Sequence, residues 1–175
     1  MFKKILLLLS LFKLSCVTYE EPEYIVLKKF PKFEIRKYSP KLVVEVPVES
    51  SFKNAGDQGF RVLADYIFGS NKKNEKIAMT IPVEQEYFSK EDLHKIKSKI
   101  SVYKDLNYYK IRFIMPKKYS KKSLPTPRHE LIKTREIPSE LVAVRKYSGT
   151  WSKKNFEYQK DILLEELNKK KIKLD

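Results

Sequence analysis

Cysteine is nearly absent: the chain has one, Cys16, so no disulfide can form within it. Histidine is almost as scarce. With only His94 and His129 beside that cysteine, a His/Cys metal cluster has too few ligands. The four glycines are too few and too scattered for a glycine-rich phosphate loop. Ser148-Gly149-Thr150-Trp151 looks superficially like a nucleophile turn, but it lacks the Gly-x-Ser-x-Gly setting, and Ser152 reads better as a helix cap. No catalytic residue is therefore expected, and the chain is not expected to be an enzyme. Long apolar runs are missing too. The longest, residues 5–12, spans eight residues, against the roughly 20 that a membrane-spanning helix needs. Acidic residues are outnumbered, 22 against 37 basic ones, which leaves a net charge of +15. A field of that sign favours anionic partners. The lysines are spread along the whole chain rather than gathered in a block.

What is present supports a folded domain. Apolar residues make up 42 % of the chain, with 11 Tyr and 10 Phe, enough for a proper core. Aromatic and basic residues interleave at Tyr103-Lys104 and Tyr108-Tyr109-Lys110. Half-exposed strands give the same pattern, and nucleic acid is not among the expected partners.

The N-terminus reads as an export segment. Lys3 and Lys4 precede Ile5-Leu6-Leu7-Leu8-Leu9-Ser10-Leu11-Phe12, a short positive region followed by an apolar stretch of signal-peptide length. Leu14-Ser15-Cys16 then places a small residue before the lone cysteine and resembles a lipobox, although Lys13 stands where an aliphatic residue is usual. The expected layout is a signal peptide over 1–15, a lipidated Cys16 with a polar tether over 16–23, and a folded domain over 24–175. Several acyl chains on Cys16 would hold the protein at a membrane of the cell envelope, because one chain alone binds only marginally. A secreted form, or one that keeps the segment uncleaved in a membrane, is the alternative.

Along the domain, alternation predicts strands over 24–29 and 33–38, and the β-branched run Leu42–Val46 predicts a third. Ser50 or Ser51 can cap a helix whose stripe is Phe52, Gly59, Phe60, Leu63, Tyr66 and Ile67, ended by Gly69. Residues 76–88 read as one long strand interrupted by Pro82, 89–98 as helix or loop, and 100–104 and 108–115 as strands. Leu131–Arg135 and Leu141–Arg145 then predict two more strands. Ser148 or Ser152 opens a second helix to about residue 170, with a stripe of Phe156, Gln159, Leu163 and Leu167. The order Ile35, Pro40, Leu42–Val46, Ser51, helix returns as Ile132, Pro138, Leu141–Arg145, Ser152, helix. Two internal repeats follow, about 24–115 and 116–175. The fold class is α+β: a duplicated βαβ-type unit whose curved antiparallel sheet or distorted barrel is flanked by two helices. No strand pair follows the second helix, so the closing hairpin of the second repeat is expected to be missing.

Five blocks in order resemble the SOUL haem-binding family: Asp65–Asn71, Lys76-Ile77-Ala78-Met79-Thr80-Ile81-Pro82-Val83, Arg112–Pro116, Leu124-Pro125-Thr126-Pro127, and Val144–Gly149. The resemblance spans about 24–170. It implies a monomer that binds haem or a related tetrapyrrole through an apolar patch on the first helix, where Phe60, Ala64 and Phe68 take the lining positions. It also implies a second wall from C-terminal strands, and the Arg-Arg-Asn-Glu-Val ending of that wall is not found here. Ala64 and Asp65 stand where some members have methionine and lysine. His94 and His129 lie in polar segments, and Met79 and Met115 among aliphatic strand residues, so none is expected as an iron ligand. Haem would be held by apolar contact with weak or no ligation, with Arg61, Lys72 or Lys73 near its propionates. The reading from another class is an envelope interaction protein that keeps the fold without haem.

Overall fold

The structure is a computed structural model, and it describes residues 19–87 and 107–173. The export segment, Cys16, His94 and the elements expected over 89–98 and 100–104 lie outside the described residues. Seven strands and two helices follow in order: β1 (Tyr24–Lys29), β2 (Glu34–Tyr38), β3 (Lys41–Ser50), α1 (Phe52–Ile67), β4 (Val83–Tyr87), β5 (Asn107–Ile114), β6 (Lys133–Ile137), β7 (Glu140–Val144) and α2 (Lys153–Lys169).

The strands form two antiparallel sheets, ordered β1-β2-β7 and β4-β5-β3-β6. They do not close into a barrel, and among the described residues they form two sheets rather than one. The two repeats are joined reciprocally. β2 pairs with β7 and β3 pairs with β6, so the C-terminal half of the chain gives one strand to each sheet. Prolines mark both bends, Pro40 between β2 and β3 and Pro138 between β6 and β7, where a residue without an N–H interrupts the ladder. The register survives the bend: Tyr38 stands opposite Glu140 before it, and Lys41 opposite Ile137 after it.

The core lies between α1 and the four-stranded sheet. Val44, Val46 and Val48 of β3 and Tyr109, Ile111 and Phe113 of β5 project from one face of that sheet. Against them α1 sets Phe52, Ala55, Leu63, Tyr66 and Ile67, the stripe that its spacing predicts. Each large side chain so buried contributes roughly 1.5–3 kcal/mol. Gly59 makes the approach possible, since a Cβ there would lie 2.3 Å from Ile111 Cγ1. α2 is fixed differently. Only Leu167 is buried, while Phe156 packs at the edge of the main core.

One element is shorter than expected. The strand foreseen over 76–88 is laddered only as Val83–Tyr87. Ahead of it the chain turns back to the helix: Ile77 N donates to Ile67 O at 2.8 Å, and Ile77 joins the core. Ile77 thus serves burial rather than pairing, while Ile81 is exposed and its N–H donates to Glu20 O beside the isolated Glu20–Thr80 bridge.

Candidate functional site

The blocks that carry the family resemblance lie largely at structural joints. Beyond α1, Gly69 adopts φ +121°, which a side chain would oppose. Asn71 is fully buried and fully bonded: its amide donates to Tyr66 O and Glu75 O, and its oxygen accepts from Lys73 N and Glu75 N. Tyr66 Oη donates to Pro125 O at 2.7 Å, and Lys72 N to Thr126 O at 2.9 Å, clamping the Leu124–Pro127 turn onto the helix end. Burial raises the Tyr66 hydroxyl well above its ordinary pKa. Tyr119, half-buried and bonded to Glu75, is pushed up to about 12, by desolvation first and by that bond next. In the signature segment Ile77 and Thr80 are buried, and Thr80 Oγ1 donates to Ile114 O. These residues hold elements together and leave little to meet a ligand.

The face of the four-stranded sheet away from α1 is ionic. Lys41 bonds Glu84 at 2.6 Å and Glu140 at 3.2 Å, and Arg112 bonds Glu45 at 2.7 Å while also meeting Glu84 and Glu86. Burial works against the charge on Arg112, yet the Glu45 hydrogen bond and the surrounding carboxylates hold its pKa above the ordinary value. These cations and carboxylates satisfy one another, so this face is a joint as well.

The apolar opening lies on the α1 side. A groove of about 220 Å³ runs between α1 and β4, with Ile111 as its floor. Gly56, Asp57 and Phe60 form one wall, Val83 and Gln85 the other, and Trp151 closes one end. Phe60 rests edge-on against Phe113, ring centroids 5.3 Å apart. Gln85 Nε2 donates to Phe52 O at 2.8 Å, while its Oε1 has no partner among the described residues. Gly56 leaves room for that oxygen, because a Cβ there would come within 2.8 Å of it. Trp151 is held by Phe52 at 5.0 Å, and Phe52 in turn meets Phe156 at 5.4 Å, tying the groove to the start of α2.

Of the three lining residues the resemblance implies, Phe60 and Phe68 are 43 % and 66 % exposed. Ala64 faces the core between them. Phe60 lies on the groove, and Phe68 just past the end of α1. Arg61 and Lys72 are exposed, and Lys73 Nζ is spent on Ser123 O at 3.2 Å. His129 is exposed, its Nδ1 accepting from Leu131 N. Met79 and Met115 pack into or against the core. Among the described residues no three His, Cys, Asp or Glu side chains gather as a metal site, and no helix is long and apolar enough to cross a membrane. Sequence reasoning missed Val83, Gln85 and Trp151. Trp151 carried a signal, as the only tryptophan, standing just before a helix cap.

A comparison with curated proteins finds none that matches. The family model described as SOUL heme-binding protein matches residues 19–175, which takes in both repeats, both sheets and the groove. By that match, over nearly the whole chain, this protein belongs to the SOUL heme-binding protein family.

Proposed function

We propose that this chain is an exported, lipid-anchored monomer that binds haem or a related flat tetrapyrrole by apolar contact over the α1–β4 groove. The observation that carries the reading is Phe60, an aromatic ring held at the mouth of an apolar groove in a chain of a heme-binding family. The groove is too small to enclose a macrocycle, so the ring would lie across its mouth, on Phe60, Val83 and Trp151. Among the described residues no histidine, cysteine or methionine lines it, which fits contact without axial ligation. The exposed Arg61 and Lys72 are the cations for the propionates, while Asp57 disfavours a carboxylate at its own end of the groove. When bound, haem would supply its own iron chemistry; the residues on the groove bind and orient.

The test is a haemin titration followed by absorbance and by fluorescence of Trp151, the only tryptophan. Saturable one-to-one binding that quenches the fluorescence, lost in Phe60→Asp, is expected. A non-saturating shift that the substitution leaves unchanged would mean greasy adsorption and defeat the proposal. Export with acylation is tested separately by fatty-acid labelling in cells, with label expected on the parent and none on Cys16→Ser.

A further inference from the structure

The two faces of the three-stranded sheet differ in charge. Its inner face carries both carboxylates of its strands, each already paired: Glu34 bonds Arg36 at 2.7 Å, and Glu140 bonds Lys41. Alternation places Ile25, Lys28, Ile35, Lys37, Leu141 and Ala143 on the outer face, with no carboxylate among them. α2 covers one end of that face, through Arg145 with Gln159 at 2.9 Å and Lys32 with Glu166 at 2.8 Å. At the other end Ile25, Lys37 and Leu141 stand opposite one another across the three strands. Ile25 is 60 % and Leu141 68 % exposed, and Lys37 between them has no carboxylate beside it in the sheet. β1 adds an exposed Leu27 at its bulge and the exposed Lys28, whereas Lys29 stands opposite Glu34 on the inner face, 3.9 Å from its carboxylate. Next to the row, a shallow depression of about 390 Å³ is bordered by Tyr24, Ile25, Lys37, Pro40 and Ser139. Its one carboxylate, Glu23, is taken by Lys117.

We infer that this uncovered end of the three-stranded sheet is a docking surface for an anionic phospholipid bilayer. Aliphatic side chains alternate with an ammonium group at cross-strand spacing. That arrangement lets Ile25, Leu27 and Leu141 enter the acyl boundary while Lys37 and Lys28 stay with the lipid phosphates. Charge complementarity selects the lipid, since the strands offer this face cations and no acid. The surface stands on the geometry of β1, β2 and β7 and does not require acylation of Cys16. A protein held at a membrane by its N-terminus would lie against the bilayer through this sheet, leaving the α1–β4 groove to another side.

The test uses residues 17–175, which contain the whole described core and the family match and carry no acyl group. Sedimentation is measured with vesicles of phosphatidylcholine alone and with phosphatidylglycerol added, and each variant's melting is compared with the parent's. Binding is expected to anionic vesicles only. Ile25→Ser with Leu141→Ser should weaken it about tenfold with melting unchanged, since both side chains are mostly exposed. Lys37→Glu should weaken it at least about fivefold, and Lys171→Glu, at the far end of α2, much less. Equal losses from Lys37→Glu and Lys171→Glu would reduce the effect to net charge and overturn the assignment. So would binding that is absent, or equal on neutral vesicles. If instead the double substitution changes the protein's size without vesicles, the face belongs to a second copy of the chain and the lipid assignment falls. The haemin titration and the Cys16 labelling read other parts of the molecule, so their failure and this one are distinguishable.

Discussion

The two helices each follow a strand, β3 before α1 and β7 before α2, and are held by different forces. α1 buries Phe52, Ala55, Gly59, Leu63, Ala64, Tyr66 and Ile67, whereas α2 buries only Leu167. The difference begins below the helices. α1 lies over β3 and β5, two paired strands rich in valine, isoleucine and aromatic residues. Among the described residues β7 pairs with β2 alone, at the edge of its sheet, so the strand before α2 offers a narrower floor. Its attachments are specific polar links: the Ser152 cap, Arg145 with Gln159, and Lys32 with Glu166. Duplication of a sequence pattern therefore does not duplicate its energetics, since an apolar stripe stabilises only to the extent that something covers it.

The comparison breaks most sharply at Leu63 and Leu163. Leu63 is wholly buried on the core face of α1, and Leu163, a residue of α2's own stripe, is half-buried. Leu63→Ala should cost about 3–4 kcal/mol, from lost transfer energy plus a cavity, and Leu163→Ala about 1 kcal/mol. Denaturant midpoints at a common slope measure both, and equal costs would refute the contrast. Gly59→Ala comes next. Its Cβ would press on Ile111 Cγ1 and Cβ at 2.3 and 2.6 Å, forcing α1 off β5 at about 2–3 kcal/mol. Gly56→Ala is its control, because the obstacle there is the movable end of Gln85, and its melting temperature should stay close to the parent's.

Helix caps reverse the ranking. Ser152 accepts from Asn155 N at 3.2 Å, whereas Ser51 makes no capping hydrogen bond. Ser152→Ala should cost about 1 kcal/mol and Ser51→Ala a few tenths at most. Thermal melts followed by circular dichroism distinguish them. A larger loss at Ser51 would mean that α1 also leans on its cap, contrary to the apolar account.

Both helices and the family blocks were legible because each rests on local chemistry. Helical stripes, a proline before a β-branched run and a serine cap need no knowledge of the rest of the chain. The groove was not legible. Phe60 could be placed by resemblance, but its facing wall, Val83 and Gln85, belongs to a strand whose extent was misread through the apolar character of Ile77 and Met79. Trp151 arrives from the opposite repeat through contacts with Phe52. The reciprocal exchange of β2 and β6 between sheets was hidden for the same reason, since pairing partners are chosen in three dimensions. Charge is the subtlest case. Composition registers +15 but not that the three-stranded sheet turns its carboxylates inward and offers lysines outward.

The smallest expected effect concerns the ion pair that ties α2 to the β1–β2 connection. Lys32 Nζ donates to Glu166 Oε1 at 2.8 Å, and this bond first, then the charges of Lys32 and Lys169, holds the Glu166 carboxyl below its ordinary pKa of 4.5. A carboxyl lowered in the folded state stabilises above its unfolded pKa, and the contribution disappears as pH falls from about 4.5 through the lower folded value. Lys32 is half-exposed, so solvent and salt screen the pair and the effect is modest. Glu166→Gln should therefore melt slightly below the parent at pH 7, and the two curves should converge at pH 3. Glu34, lowered chiefly by its hydrogen bond with Arg36, keeps an acid dependence of its own in both proteins, so convergence and not flatness is the signature. A gap that persists at pH 3 would show that Glu166 holds α2 by packing rather than charge, and would bring the second helix closer in kind to the first.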